Sequence, residues 1–152
     1  MAVPSVELRL ELRRTFPRAI GRVYPWFADE QLLRQWWGPS GFTVERIDYD
    51  PYSGSRYRIE MKPPDADAFV LTGTFRAVEP ADRLAFTFNW EPPDPDDVET
   101  LADLSFLDFG DTTEVVLTQG SFKTEERREI HRQGWTESLD RLERLVTPHP
   151  AY

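Results

Sequence analysis

Apolar residues recur with two different periods along this chain of 152 residues, and each change of period marks a change of predicted structure. Every second residue from Val6 to Leu12 is apolar and those between are charged, which predicts a half-buried strand over Val6–Arg14. The spacing then lengthens to three or four residues, which indicates two short helices. The first carries Ile20, Val23, Tyr24 and Phe27, and the second carries Leu32, Leu33 and Trp36.

The second short helix has clear start and stop signals. Asp29 is a suitable N-cap, and Gly38-Pro39 ends the helix. Trp36 and Trp37 follow one another just before that end. We expect one of these two rings to plug the sheet edge beneath the short helices, because aromatic side chains bury a large apolar surface.

A period of two returns from Phe42 to Gln119 and predicts six strands. The connections alternate between tight turns and longer loops rich in Pro and Asp: Pro51–Gly54, Pro63–Ala68, Pro80–Asp82, Glu91–Thr100 and Gly110–Asp111. Strands joined in this way form an antiparallel meander, in which alternate connections lie at the same end of the sheet. We therefore expect the tight turns at one end and the long loops at the other, where the last helix would also begin.

The last helix is predicted over Glu125–Val146, with Thr124 as its N-cap and a length of about 33 Å. At 100° per residue its inner face comprises Arg128, His131, Trp135, Leu139, Leu142 and Val146, with Ser138 and Leu145 beside them. The C-terminal half of this face is aliphatic, whereas the N-terminal half is a mixture of polar, aromatic and small residues that can line a cavity as well as fill a core. The complete order, β-α-α-β6-α, predicts an α+β fold.

Composition narrows the functional classes. The net charge of −9 argues against binding to nucleic acid, which requires clustered positive charge. The absence of cysteine excludes disulfides and thiolate chemistry. We see neither a membrane span nor a signal peptide and expect a cytoplasmic protein. The length predicts a single domain over residues 1–152, with a tail over 146–152.

One stretch, Ala28–Pro39 with the sequence ADEQLLRQWWGP, is similar to an element of a known family. Further landmarks agree in order along nearly the whole chain: Arg14-Thr15-Phe16, Gly54, Arg56, Gly73-Thr74-Phe75, Val78-Glu79-Pro80, Arg83-Leu84, Thr113-Glu114, Gly134-Trp135 and Leu139-Asp140-Arg141-Leu142. The sequence resembles the activator-of-heat-shock-ATPase homologue domain of the START-like superfamily, which is also called SRPBCC or Bet v 1-like.

The resemblance implies a helix-grip fold, in which a curved antiparallel sheet wraps the C-terminal helix and encloses a cavity. Members of the wider superfamily bind lipids and other apolar molecules, and some are cyclases or hydrolases. Many relatives have His at the end of the last strand, where this chain has Gln119. The namesake co-chaperone also carries a separate N-terminal domain without a counterpart in these residues, so we expect this chain alone not to stimulate a heat-shock ATPase.

The leading functional hypothesis is binding of a small apolar ligand between the sheet and the last helix. The predicted walls are Tyr57, Ile59, Phe75, Phe86, Phe88, Phe106, Leu117, Trp135 and Leu139, and the polar groups that would orient the ligand are Gln119, His131 and Ser138. Two alternatives stay open: a co-chaperone-like interaction module with a filled core, and an enzyme that acts on an apolar substrate with His131 as acid or base. We expect His131 to be a hydrogen-bonded wall residue, because no nucleophile-elbow motif accompanies it.

The sequence predicts no metal, no cofactor and no catalytic group. His131 and His149 are the two histidines and cysteine is absent, whereas metal sites usually need three or more converging ligands. Six acidic residues belong to the long loops and would ring the cavity mouth: Asp65, Asp67, Asp94, Asp96, Asp97 and Glu99. Such a ring favours a neutral or cationic ligand, although these acids can equally serve only to keep the loops soluble. A homodimer is left open.

Overall fold

The structure is a computed structural model that describes residues 8–148, so Val6, Glu7 and His149 lie outside it. Its elements follow in the order β1 (Leu10–Phe16), α1 (Ile20–Val23), α2 (Pro25–Ala28), α3 (Glu30–Leu33), β2 (Thr43–Asp48), β3 (Arg56–Lys62), β4 (Phe69–Glu79), β5 (Arg83–Glu91), β6 (Thr100–Asp108), β7 (Thr113–Gly120) and α4 (Glu125–Val146). β1 continues two residues beyond the predicted strand end, because Phe16 still pairs with Thr113 of β7.

The strands of the described region form one antiparallel sheet in the order β1-β7-β6-β5-β4-β3-β2. The six strands predicted as a meander pair with their neighbours in sequence, and β1 is added beside the last of them, with Leu10 opposite Gln119. Alternate residues of β3, β6 and β7 are buried, as their period of two predicts. The sheet and α4 together form the predicted helix-grip fold.

The sheet contains two irregularities, which are expected to bend and twist it. The register shifts once between β2 and β3 and once between β4 and β5, the latter between Phe75 and Ala77. Gly73 lies just before this second shift. A Cβ added there would come within 1.8 Å of the Thr87 carbonyl oxygen, so a glycine is required at this close approach of two strands.

Residues 20–33 form three one-turn helices rather than the two predicted. Pro25 begins α2, because its fixed φ suits the first turn of a helix and its missing N–H is not needed there. Asp29 ends that turn and caps α3. Its Oδ1 accepts hydrogen bonds from the backbone N–H groups of Gln31, at 2.9 Å, and Leu32, at 3.1 Å.

The two adjacent tryptophans face different parts of the molecule. Trp36 is fully buried beneath the short helices, with its ring centroid 5.0 Å from that of Phe27. Its indole N–H donates to the Trp26 carbonyl at 3.0 Å. Trp37 instead contacts α4, where its ring centroid lies 5.2 Å from that of Trp135.

Helix α4 has the predicted bounds and the predicted cap. The Thr124 hydroxyl accepts from the Arg127 backbone N–H at 3.1 Å. Its buried residues are His131, Trp135, Ser138, Leu139, Leu142 and Val146. Leu145, predicted beside this face, is 42% exposed near the end of the helix.

Candidate functional site

A pocket of about 320 Å³ lies between the N-terminal half of α4 and one end of the sheet. It is lined by Trp37, Gly38, Pro39, Phe42, Met61, Phe69, Phe88, Trp90, Pro92, Asp94, Asp97, Arg127, Ile130, His131, Gly134, Trp135 and Ser138.

The strand register explains why these residues meet. Met61 lies opposite Phe69, and Phe88 lies opposite Thr100, so the end of β3 and the starts of β4 and β6 lie at one end of the sheet. This end, which we call the long-loop end, carries residues 63–68 and 92–99.

Aromatic rings form most of the apolar wall of the pocket. The Phe88 ring lies 5.9 Å from Trp90 on one side and 5.9 Å from Trp135 on the other. Phe69 extends the wall, with its centroid 5.3 Å from that of Trp90. Tilted and edge-on contacts of this kind stabilise each ring in one position. The wall therefore presents ring faces and edges that are fixed before any ligand arrives.

One side of the pocket is the segment 37–42, which α4 holds in place. The Arg141 guanidinium donates to backbone carbonyl oxygens of this segment, most closely to Gly38 at 3.0 Å. Glu137 accepts from the Ser40 backbone N–H at 3.1 Å. Gly38 has φ of +99°, a left-handed conformation that favours glycine. The sequence WWGP thus places Trp37 beside the helix and turns the chain sharply after it.

The opposite side is the loop between β5 and β6, which is bound to the first turns of α4. The Arg127 guanidinium forms ion pairs with Asp97, at 2.7 Å, and with Asp94, at 3.3 Å. The Asp97 side chain is only 8% exposed, and its second oxygen accepts from the Asp94 backbone N–H at 2.8 Å. Lys123 lies 3.9 Å from Asp96. Three of the six acids predicted to ring the mouth therefore face cations, which offsets part of the expected negative field.

His131 is a buried wall residue whose two ring nitrogens are both engaged. Its Nδ1 lies 2.7 Å from the Arg127 carbonyl oxygen, which can only accept, so Nδ1 carries the proton. Its Nε2 therefore has a lone pair and accepts the indole N–H of Trp90 at 2.9 Å. Burial lowers the pKa of His131, so the ring is neutral at pH 7. A general base needs a free lone pair, and the Trp90 bond occupies the one that His131 has.

The other two polar residues predicted to orient a ligand are also hydrogen-bonded. Gln119 is fully buried, accepts from the Trp135 indole N–H at 2.7 Å and donates to Thr100 at 2.9 Å. The Ser138 hydroxyl donates to the Gly134 carbonyl at 2.8 Å. Gln119 therefore acts as a bridge that holds Trp135 against the end of β7.

The predicted site residues are divided between the pocket and the core. Phe88, His131, Trp135 and Ser138 line the pocket. The remaining residues are buried deeper in the sheet or further along α4 and do not line it: Tyr57, Ile59, Phe75, Phe86, Phe106, Leu117, Gln119 and Leu139. Among these the Tyr57 hydroxyl donates to the Thr87 carbonyl, and burial raises its pKa.

Sequence reasoning did not identify several residues of the pocket wall. The most important are Trp37, Phe42, Phe69, Trp90 and Arg127. Phe42, Phe69 and Trp90 lie in or beside strand ends and Arg127 lies in the first turn of α4, next to the long loops, so position is their shared signal. The alternation pattern assigns a residue to the inner face but does not say whether it lies at mid-strand or at the rim. The predicted long-loop end adds that information for these four residues, whereas Trp37 lies between α3 and β2, where no periodic pattern applies.

Within residues 8–148 we find no group of three or more His, Cys, Asp or Glu side chains arranged to hold a metal ion. None of the helices in this part of the chain is long and apolar enough to cross a membrane. The pocket offers fixed aromatic surface, with an ion-paired loop on one side and a glycine-containing turn on the other.

Comparison with known structures identifies close matches of fold. The chain is similar to protein CV1439 from Chromobacterium violaceum, with 21% identity, a TM-score of 0.84 and coverage of 93% of this chain and 98% of that one. It is also similar to the AHSA1 protein from Silicibacter pomeroyi, with 26% identity, a TM-score of 0.80 and coverage of 91% and 96%. Protein Ms6760 from Mycobacterium smegmatis shows 19% identity, a TM-score of 0.79 and coverage of 95% and 94%.

Among curated proteins none matches the chain significantly. The sequence profile of the family described as "Activator of Hsp90 ATPase homolog 1-like protein" matches residues 18–147. This range includes the three short helices, strands β2 to β7 and α4, which are the elements that build the pocket. The chain therefore belongs to the family of Activator of Hsp90 ATPase homolog 1-like proteins.

Proposed function

We propose that this protein binds a small, mainly apolar ligand in the pocket between α4 and the long-loop end of the sheet. The observation that carries the proposal is the pocket itself, with a volume of about 320 Å³ and walls built from aromatic rings. Small-molecule sites have volumes of about 300–1,000 Å³ and are mostly apolar with a few polar groups. The pocket lies at the small end of this range, which suits a ligand of one or two rings.

The pocket also suits binding because its shape is already formed. Arg141 and Glu137 fix the segment 37–42, and Arg127 fixes the opposite loop. A site whose walls are held by the protein loses less entropy when the ligand binds. Membership of a family with this fold supports the proposal, because superfamily members bind apolar molecules.

We infer further that the ligand is neutral or cationic. Two carboxylates, Asp94 and Asp97, and one guanidinium, Arg127, line the pocket, so one negative charge remains. The effect is expected to be modest, because the Asp94 side chain is 68% exposed and solvent screens it. Titration with 3-phenylpropylamine and 3-phenylpropanoate at low salt tests this inference, and tighter binding of the carboxylate would contradict it.

The proposal is tested by filling the pocket with a side chain. Ser138 is 5% exposed and lines the pocket, so the ring of a Ser138→Phe variant occupies the ligand's space. The matched control is Gln133→Phe, which adds the same ring on the exposed side of α4. Calorimetric titration with ethylbenzene should show binding to the wild type and to Gln133→Phe, and at least a tenfold loss of affinity in Ser138→Phe.

Native mass spectrometry of freshly purified protein provides an independent measurement. A co-purified small molecule that is present in the wild type and missing from Ser138→Phe would support the proposal, and the same spectra report whether a homodimer forms. Thermal unfolding must first show that both variants are folded. The proposal fails if the folded wild type binds none of the apolar probes and carries no small molecule.

A further inference from the structure

Three tryptophans line the pocket, and they differ in what their indole N–H groups do. Trp90 donates to His131 Nε2 at 2.9 Å, and Trp135 donates to Gln119 Oε1 at 2.7 Å. Trp37 has no hydrogen-bond partner for its indole nitrogen within residues 8–148, although the residue as a whole is only 6% exposed. One pocket tryptophan in three is thus left with an unused donor.

The Trp37 donor is accessible rather than sealed in the core. In the described part of the chain, Arg127 Nε is the buried side-chain nitrogen that lacks a hydrogen-bond partner. Trp37 Nε1 also lacks a hydrogen-bond partner within residues 8–148, but it keeps some solvent-accessible surface. A molecule of the size of water can therefore reach it. Since Trp37 is almost completely covered and lines the pocket, the pocket is where such a molecule would lie.

The other side-chain donors around the pocket face partners within the protein. The Ser138 hydroxyl donates to Gly134, and the Arg127 guanidinium donates to Asp94 and forms an ion pair with Asp97. The Arg127 Nε atom is buried and cannot reach a ligand without a rearrangement. His131 Nδ1 donates to a backbone carbonyl. Trp37 is therefore a pocket residue whose one side-chain donor has no partner within residues 8–148.

The surroundings of Trp37 hold its ring in one position. Its ring lies 5.7 Å from that of Trp36 and 5.2 Å from that of Trp135, and both contacts are edge-on. Its backbone N–H donates to the Leu33 carbonyl at 3.1 Å, and its own carbonyl accepts from Arg141 at 3.4 Å. A donor fixed in this way loses little freedom when it forms a hydrogen bond.

We infer that Trp37 is a specificity-determining residue, whose indole N–H donates to a hydrogen-bond acceptor on an otherwise apolar, uncharged ligand. This inference rests on the proposed function, because it concerns a ligand in the same pocket. The ligand class is a small ring compound with one buried carbonyl, ether or hydroxyl oxygen. Burying such an oxygen without a donor is costly, so the Trp37 N–H favours the orientation that places the ligand oxygen beside it.

The test uses two probes of similar shape, ethylbenzene and acetophenone, which differ by a methylene and a carbonyl group. In the variant Trp37→Phe the wall keeps an aromatic ring but loses the N–H. Calorimetric titration should show that acetophenone binds about threefold to tenfold more weakly than to the wild type, whereas the affinity for ethylbenzene changes by less than about twofold. The matched control is Trp26→Phe, the same change at a partly buried tryptophan that does not line the pocket, and it should leave both affinities unchanged.

The outcomes separate this inference from the proposed function. Binding of neither probe to the folded wild type contradicts both. Binding of both probes to the wild type, with equal weakening of both in Trp37→Phe, overturns the role of Trp37 and leaves the proposed function standing. If Trp37→Phe does not fold, the indole ¹⁵N–¹H resonance of Trp37 in the wild type replaces it. That resonance should move further downfield with acetophenone than with ethylbenzene, because a hydrogen bond deshields the N–H proton, and equal shifts would overturn the inference.

Discussion

The two halves of α4 are buried to a similar degree but build opposite environments. In the C-terminal half Leu139, Leu142 and Val146 are 0–4% exposed and belong to the closed hydrophobic core. In the N-terminal half His131, Trp135 and Ser138 are 5–7% exposed and line an open pocket.

The difference between the halves lies in side-chain size and hydrogen bonding, not in burial. Gly134 and Ser138 are small and lie four residues apart, so they occupy the same side of the helix and leave space in front of it. The two aromatic pocket residues of this half are kept at the wall by polar partners, His131 by Trp90 and Trp135 by Gln119. One helix can therefore close the core at one end of a sheet and leave a pocket at the other end, while the inward-facing residues of both its halves stay buried.

The largest expected effect is loss of the ring that joins the two halves. Trp135→Ala should lower the free energy of unfolding by about 3–5 kcal/mol, because a large buried side chain is removed. The loss also leaves Gln119 without its indole donor. Denaturant unfolding measures the change. A variant that unfolds at the wild-type midpoint would show that the assigned inner face of α4 is incorrect.

A smaller loss of stability is expected where the N-terminal half of α4 forms an ion pair with the β5–β6 loop. Asp97→Asn removes the charge that Arg127 faces and should cost about 1–3 kcal/mol, because a partly buried guanidinium loses its closest partner. The matched control is Asp96→Asn, since Asp96 is exposed and lies 3.9 Å from Lys123. That control should stay within about 0.5 kcal/mol of the wild type. Equal effects on unfolding in the two variants would mean that the loop is not tied through Asp97.

The third prediction is a gain of stability in the open half. Gly134→Ala should raise the free energy of unfolding by about 0.5–1 kcal/mol, because alanine is the better helix former. The added Cβ has room, with Pro39 Cγ as its nearest contact at 3.7 Å. The contrast is Gly54→Ala, which also has open space but has φ of +87° and should be destabilised. A loss of stability in Gly134→Ala would mean that this half of the helix is packed as tightly as the other.

The weakest expected effect is a dependence on pH. Burial lowers the pKa of His131, an effect opposed by its bond to the Arg127 carbonyl and by Asp97 and increased by the Arg127 charge. The unfolded chain then takes up a proton at higher pH than the folded one, so the free energy of unfolding should fall as pH drops below about 6.5. We expect the free energy of unfolding of His131→Leu to fall less than that of the wild type between pH 7.5 and pH 5.5, as measured by denaturant unfolding. An identical pH dependence in variant and wild type would contradict the lowered pKa.

The sequence predicted the framework of this fold well because the framework depends on periodic patterns. Alternation at period two set the six strands of the meander, and the 100° pattern with Thr124 set the bounds of α4. The number of short helices was less predictable, because the start and stop signals lie only one turn apart. Pro25 begins α2, and Asp29 both ends α2 and caps α3.

The pocket was harder to predict than the framework. Trp36 and Trp37 are adjacent and chemically identical, yet one is buried beneath the short helices and the other lines the pocket. The direction of each ring depends on the turn at Gly38 and on the contact with α4, which are properties of the folded chain. For the same reason Phe86 and Phe88 share one periodic pattern, although only Phe88 reaches the rim.

The position of β1 beside β7 has a consequence for how the chain folds. Strands β2 to β7 each pair with a neighbour in sequence, so they can assemble one after another with short loops to close. β1 precedes the other described strands in the chain, but its partner β7 lies about a hundred residues later, with Leu10 opposite Gln119. On the ribosome the N-terminal strand must therefore wait until β7 has emerged. Docking of β1 is a late, non-local step, and folding is slower when many contacts join residues far apart in sequence.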